Sequence, residues 1–255
     1  YKPITVLSAI GKVFEQLLSR RLLRFMEPCL CKTTTVYGRG HNCETTLLAL
    51  IEKWKNAVEC KKVVGVLSMD MSKVFDSLYH PLLIKKLEAY GISNKATTLF
   101  HSYFNDRCCQ VRINNYAESE WVRVNRGCPQ GSNLGPVLWN VYQNDVPLNI
   151  NKSELMMYAD DHQLYVIGND IVEIQTTLTE EGKVTTEWYQ SNQLQGNPKK
   201  CQALCIGSKN DMESNVKVMN TNIKQSKVIK LLGVQIDSNL DFSDHIRSVC
   251  KNAAK

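Results

Sequence analysis

Val63-Val64-Gly65-Val66-Leu67-Ser68-Met69-Asp70 is a continuous apolar run of strand length that ends on a carboxylate. A strand covered on both faces needs such a run, whereas a strand with one wet face alternates. The run predicts a central strand, and an acid at its end is costly unless its charge is compensated. Two further apolar segments, Leu155 to Tyr158 and Gln163 to Ile167, flank Ala159-Asp160-Asp161-His162. They predict a hairpin with adjacent carboxylates at its tip. Asp-Asp in a turn is commonly turn chemistry, and an acid closing a strand is commonly a helix cap. Three acids at the ends of apolar strands also suit a divalent cation, because Mg²⁺ takes hard oxygen ligands and keeps positions for water and phosphate. On these residues alone both readings stand.

Outward from this centre, Ser8 predicts the cap of a helix running to about Glu27, with Ile10, Val13, Phe14, Leu17, Leu18, Leu22 and Phe25 as its buried stripe and Pro28 as its stop. A second helix is expected over Glu44 to Val58, a third over His80 to Tyr90 closing at Gly91, and a shorter one over Lys95 to Phe104. Cys108 to Ile113 and Glu120 to Val124 read as a hairpin across Asn114-Asn115. The Gly/Pro-rich stretch Arg126 to Pro136 opens a helix over Val137 to Asn144, and a long helix follows at Ile171 to Ser191. Short strands are expected at Ala203 to Ile206, Val216 to Met219 and Ile229 to Ile236. Strands grouped in hairpins among helices point to an α+β fold.

The 255 residues are 43% hydrophobic and 22% charged, which excludes a disordered or fibrous chain. Net charge is 31 − 25 = +6, and residues 1–62 hold 11 basic against 5 acidic side chains while the rest hold 20 of each. A basic front end suits a polyanionic partner or simply a solvated helix face. The apolar runs are too short to span a membrane, and no membrane partner is expected. Ten cysteines lack any C-x-x-C pair, so free thiols in a reducing, intracellular setting (nuclear or cytoplasmic) are expected. The chain opens on Tyr1 in patterned sequence without a signal peptide, and reads as an interior piece of a longer protein.

The segment Leu67 to Asp76 (LSMDMSKVFD) resembles the first catalytic motif of reverse transcriptases, Arg126 to Pro136 (RGCPQGSNLGP) resembles their PQG loop, and Tyr158-Ala159-Asp160-Asp161 resembles their catalytic hairpin. Tyr1-Lys2-Pro3-Ile4, Gly40-His41-Asn42-Cys43-Glu44-Thr45, Asn197-Pro198-Lys199-Lys200-Cys201 and Leu231-Leu232-Gly233-Val234 are similar to the non-LTR, LINE-type branch. The resemblance implies a right-hand polymerase with a ferredoxin-like palm sheet, helical fingers and the thumb largely absent. Residues 1–62 would be fingers, 63–115 the first part of the palm, and 116–150 the PQG loop and its helix. Residues 151–242 would complete the palm, and 243–255 would begin the thumb.

The implied activity is RNA-directed DNA polymerisation within a retrotransposon polyprotein, with dNTPs, an RNA template and a DNA primer or target site as partners. The missing thumb and an endonuclease domain would lie elsewhere in that polyprotein. The competing reading is an RNA-binding relic of the same fold that no longer turns over. Asp70 and Asp160 would bind two Mg²⁺ ions (or Mn²⁺), with Asp161 sharing that role. Lys200 matches the lysine placed near the triphosphate as a general acid, and reads equally as a solvated lysine. Phe75 matches the ring that excludes a ribose 2′-hydroxyl, and reads otherwise as a core aromatic. Gln130 and Gly131 would line the nascent base pair, with Tyr158, Ala159 and Arg39 also on the nucleotide. Leu232 and Gly233 resemble the primer grip, while Lys12, Arg20 and Arg24 would meet primer or template phosphates. The chain departs from the family pattern at Gly38, where an arginine is usual after the aromatic, at Cys128 and Asn133 in the PQG loop, and at Trp139 in place of a phenylalanine.

Overall fold

A computed structural model describes residues 5–31, 42–71, 74–113, 117–208 and 215–254. In chain order it forms α1 (Ala9–Met26), α2 (Cys43–Glu59), β1 (Val63–Asp70), α3 (Val74–Ser77), α4 (His80–Ala89) and α5 (Asn94–Phe104). Four two-residue strands follow, β2 (Cys108–Cys109), β3 (Arg112–Ile113), β4 (Ala117–Glu118) and β5 (Val122–Arg123), and then α6 (Gly135–Gln143). The last part holds β6 (Glu154–Tyr158), β7 (Asp161–Gly168), α7 (Ile171–Ser191), β8 (Gln202–Ile206), β9 (Lys217–Val218), β10 (Thr221–Asn222), β11 (Val228–Leu231), β12 (Val234–Asp237) and α8 (Ser243–Ala253).

These elements form two compact units. One comprises residues 1–30, 73–144 and 192–194; the other comprises 31–72, 145–191 and 195–255. The second is built on an antiparallel sheet of order β6-β7-β1-β8, the ferredoxin-like order. β1 is its central strand, as the apolar run requires. Alternation sends Val64 and Val66 to one face, where they join Met156, Tyr165, Leu204 and Ile206 under Leu50 and Trp54 of α2 and Ile229, Leu231 and Ile236 of the β11–β12 hairpin. α2 is started by a reciprocal cap, in which Asn42 accepts from the Thr45 N–H and Thr45 Oγ1 accepts from the Asn42 N–H. This helix, read from the sequence with the basic front end, therefore clusters with the sheet.

The other face of β1 lies under α7, whose bounds match those expected. There the fit depends on a missing side chain: a Cβ on Gly65 would sit 2.3 Å from Ile174 Cγ2 and 3.0 Å from Leu178 Cδ1. Gly65→Ala, which in an open strand would be neutral or helpful, should cost about 1–3 kcal/mol here by overpacking. A urea midpoint unchanged by that substitution would contradict the close packing of α7 on β1.

The expected strand Ile229 to Ile236 is instead the hairpin β11–β12, turning at Leu232 and Gly233 with φ of 48° and 88°. Positive φ at both central residues is what a tight hairpin turn demands, and glycine supplies it at the second. The expected hairpin from Cys108 is broken into two small ladders, β2–β5 and β3–β4, whose second arm starts at Ala117 rather than Glu120. Its proposed turn, Asn114-Asn115, lies outside the described residues.

In the first unit, α1 begins where expected, with Ser8 Oγ accepting from the Gly11 N–H at 3.1 Å. Its rotation is not the expected one. Ile10 is 84% exposed, Val13, Phe14, Leu17 and Phe25 also face solvent, and Glu15, Leu22 and Met26 point inward. The reason is polar: Glu15, 3% exposed, accepts from the Asn133 N–H at 2.9 Å and from Tyr103 Oη at 2.6 Å. Ile10, Val13, Phe14 and Leu17 sit five, two and one positions before Glu15 and two after it, on other faces of the helix, so committing Glu15 to buried donors turns them outward while Leu22, seven positions on, shares its buried face.

Candidate active site

β1 and β7 pair so that Asp70 stands directly opposite Asp161, one step beyond the Met69–His162 pair. Asp161 also pairs with Tyr158 across the β6–β7 hairpin, leaving Ala159 and Asp160 as a two-residue turn with Ala159 at φ 52°. Strand alternation puts Asp70 and Asp161 on one face, next to Ser68 and Gln163. Like charges opposite one another destabilise a ladder. The Asp161 carboxyl accordingly is pushed up to about 6, first by burial and then by Asp160 and Asp70, with Lys200 acting in the other direction.

Lys200 is held at this end of β1 by its own backbone. Asn197 N–H donates to the Asp70 carbonyl at 3.0 Å, Met71 bridges Gly196, and the turn Pro198–Lys200 is capped by the Asn197 side chain. From there the Lys200 ammonium reaches Asp70 Oδ1 at 3.2 Å. Lys200 is largely exposed while Asp70 is half-buried, so the pair positions the lysine more than it stabilises the fold.

Among the described residues no group of three or more acids, histidines or cysteines is arranged to hold a metal. The donor set fits a divalent ion in a different way. Mg²⁺ needs only one or two protein carboxylates, the remaining positions going to water and substrate phosphate. Asp70 and Asp161 repel each other across the ladder, and a cation between such carboxylates would relieve that repulsion.

Behind the hairpin His162 is fully buried, its Nδ1 3.0 Å from Tyr189 Oη, and burial pushes it down to about 3 from 6.5. The unfolded chain therefore binds a proton below pH 6.5 that the folded chain refuses. Stability from His162 is complete above pH 6.5 and is lost toward pH 3, by up to about 1.4 kcal/mol per pH unit. The stability difference between wild type and His162→Gln should shift by that slope between pH 6.5 and 4 in urea titrations. A difference independent of pH would refute the buried neutral imidazole.

The PQG loop belongs to the other unit and is fastened from several sides. Gly127 has φ 82°, and a Cβ there would lie 2.7 Å from Asp76 Cα and Phe75 O. Its N–H donates to Leu78 O and that of Cys128 to Phe75 O, both at 2.7 Å. His80 Nε2 donates to Gly127 O at 2.7 Å, and burial holds this imidazole below its ordinary value. Gln130 Nε2 donates to both Asp76 oxygens, at 2.9 and 3.1 Å, while Thr5 N–H reaches Gln130 O at 3.0 Å. Gly131 has φ 101° and is exposed. Phe75 is half-buried, its ring centroid 6.4 Å from that of Trp139. Among the departures from pattern, Cys128 is buried with its thiol pushed up to about 12, and Asn133 Nδ2 donates to Lys12 O.

The structure thus brings Asp70, Asp160, Asp161 and Lys200 to one end of the sheet, and Phe75, Gln130 and Gly131 to one loop region of the first unit. Tyr158 and Leu232 pack against the sheet's core cluster, with Gly233 beside Leu232 in the hairpin turn. Lys12, Arg20 and Arg24 are exposed on α1. Arg39 and Gly38 lie outside the described residues. Sequence reasoning missed Glu15, Asp76, His80 and Tyr103 as the residues that hold the loop. The signal available was Glu15 itself, an acid set within an apolar stripe.

The family model described as reverse transcriptase (RNA-dependent DNA polymerase) matches residues 1–236. The chain belongs to the reverse transcriptase family. Its relatives include the probable RNA-directed DNA polymerase from transposon BS of Drosophila melanogaster, 28% identical over 98% of this chain, and the RNA-directed DNA polymerase from mobile element jockey of the same organism, 24% identical over 98%. A Pol polyprotein from the type-1 retrotransposable element R1 of Bradysia coprophila is 26% identical over 96%. This reverse transcriptase domain is of the non-LTR kind. It spans 29%, 28% and 24% of the lengths of those three relatives. Among solved structures, apo telomerase from Candida tropicalis superposes with a TM-score of 0.61 at 14% identity, covering 91% of this chain and 40% of that one. Telomerase from Candida albicans gives 0.57 at 13%, covering 92% and 38%. These likenesses establish the α+β polymerase fold.

Proposed function

We propose that the chain is the RNA-directed DNA polymerase core of a non-LTR retrotransposon protein, extending a DNA 3′-end on an RNA template. The observation that carries this is Asp70 facing Asp161 at the sheet's end with the Lys200 ammonium 3.2 Å from Asp70. Asp70, Asp160 and Asp161 would hold two divalent ions, Mg²⁺ or Mn²⁺, which when bound would supply Lewis acidity toward the 3′-hydroxyl and the leaving phosphates. Asp70 and Asp161 supply rigid oxygen ligands from two paired strands, which costs no reorganisation when charge develops. Lys200 places a positive charge beside them for the triphosphate. Gln130 and Gly131 meet the nascent base pair, Phe75 excludes a 2′-hydroxyl, and Tyr158, Ala159 and Arg39 complete the nucleotide's surroundings. Leu232 and Gly233 steady the primer, and Lys12, Arg20 and Arg24 meet backbone phosphates. In this reading α1 acts with the fingers, while α2, which packs on the sheet, belongs with the sheet and its hairpins as palm. The protein works inside the cell, where its free cysteines stay reduced.

Extension of oligo(dT) on poly(rA) with dTTP and Mg²⁺ tests the proposal. Extension that disappears in Asp160→Ala supports it. Tight template binding without extension, in Mg²⁺ and in Mn²⁺, supports the RNA-binding relic instead.

A further inference from the structure

Near its C-terminal end α7 carries one fully buried side chain, Tyr189, that meets two separate segments behind the carboxylate end of the sheet. On one side its Oη lies 3.0 Å from His162 Nδ1, with the two ring centroids 5.7 Å apart. His162 follows Asp161 in β7 and pairs with Met69 of β1 and Met157 of β6. Alternation therefore turns its ring to the face opposite the Asp161 carboxylate. On the other side the Tyr189 ring backs Gly196, where a Cβ would sit 3.2 Å from Tyr189 Cδ2 and closer still to Met219 Cε. Gly196 bridges Met71, and the next residue, Asn197, donates to the Asp70 carbonyl and caps the turn that carries Lys200. All of these residues belong to the unit built on the sheet.

Burial first, then Cys201 and Asp70, raise the Tyr189 phenol well above its ordinary value, so the hydroxyl keeps its proton and lies within electrostatic reach of Asp70. A pair of apolar side chains would fill the same space without burying two polar groups. What the hydrogen bond adds is direction more than net stability. One ring thus joins the strand that carries Asp161 to the segment that fixes Asp70 and Lys200.

Resting on the polymerase reading above, we propose that Tyr189 is a positioning residue for the metal ligands, which through His162 and Gly196 sets Asp161 and Lys200 against Asp70 and so sets the affinity for the divalent ion. Tyr189 touches neither ion nor substrate. Its effect passes along the backbone, from His162 to Asp161 within β7 and from Gly196 to Lys200 within the turn. Two carboxylates that repel each other must be held in place before the ion arrives, and groups behind the ligands do that holding.

Tyr189→Phe tests this in the intact protein, since it removes the hydroxyl and keeps the ring that backs Gly196. Mn²⁺ binding without nucleotide, followed by electron paramagnetic resonance, should weaken about tenfold, the loss expected when a group that orients a metal ligand is removed. The Mg²⁺ concentration for half-maximal primer extension should rise in parallel, while the Kd for the RNA–DNA primer–template changes less than twofold. His162→Leu should give the same shift and the double variant no larger one, because both remove one bond. Unchanged Mn²⁺ affinity in folded Tyr189→Phe overturns the proposal, whatever its urea midpoint, and leaves Tyr189 a packing residue. Shifts that multiply in the double variant overturn it too, as does wild type that binds no Mn²⁺. If wild type binds Mn²⁺ but extends no primer, the polymerase reading fails separately, and the Mn²⁺ series still decides the role of Tyr189.

Discussion

Asp70→Asn should reduce nucleotide addition by about three orders of magnitude while leaving the chain folded, because it removes charge from the position where a preorganised ligand is worth most. The amide preserves the side chain's shape at the end of β1, and the backbone contact from Asn197 N–H to the residue-70 carbonyl is untouched. What changes is electrostatic. Asp161 loses one of the two neighbouring charges that push its carboxyl up, so its carboxyl should move back toward the ordinary carboxylate range, and Lys200 loses its partner. In the absence of divalent ion the variant should therefore be at least as stable as wild type, since a repulsion across the ladder has been relieved. Single-turnover addition rates and thermal melts in EDTA check the two halves independently. Activity within tenfold of wild type would remove Asp70 from the chemistry. A large loss of stability in EDTA would show that Asp70 is structural.

Glu15→Ala should destabilise the fold by about 3 kcal/mol, the cost of orphaning buried donors rather than of losing a surface charge. The Asn133 N–H loses its acceptor outright, and Tyr103 Oη keeps only Ser132 Oγ at 3.3 Å. Burial and the Glu15 contact together hold the Tyr103 hydroxyl firmly protonated, so the bond it donates persists at any working pH. Because the same carboxylate anchors the stretch next to Gln130 and Gly131, Glu15→Ala should also loosen that loop. Urea midpoints measure the first effect, and amide exchange at Asn133 and Leu134 measures the second. Glu15→Gln, which retains an acceptor oxygen, should restore at least half of the stability. A Glu15→Ala variant within 0.5 kcal/mol of wild type, a change about the size of an ordinary surface substitution, would contradict the burial of this helix face.

Glu15 also shows why part of the molecule was unreadable from sequence. Periodicity located α1 and its Ser8 cap, but could not turn the helix, because what turns it is a hydrogen bond to Asn133, 118 positions away. The same holds for Asp76 and Gln130, 54 positions apart, whose pairing fixes the loop and leaves no local mark. By contrast β1 and the Asp160-Asp161 hairpin were legible, since their signals are local: an unbroken apolar run, and two acids between apolar segments. The turn at Leu232-Gly233 fell between these cases. Its apolar run looked like one strand, and Gly233 was the only residue that spoke for a reversal.

Under the proposed function, this chain reads an RNA base and adds the matching deoxynucleotide at the Asp70–Asp161 end of its sheet. Single-nucleotide addition to a DNA primer, on four RNA templates that differ only in the next base, measures it directly. Addition of the complementary dNTP alone on each template, dependent on Mg²⁺ and absent in Asp70→Asn, is the predicted result. Addition that ignores the template base, or none at all from protein shown to bind each primer–template, would contradict it.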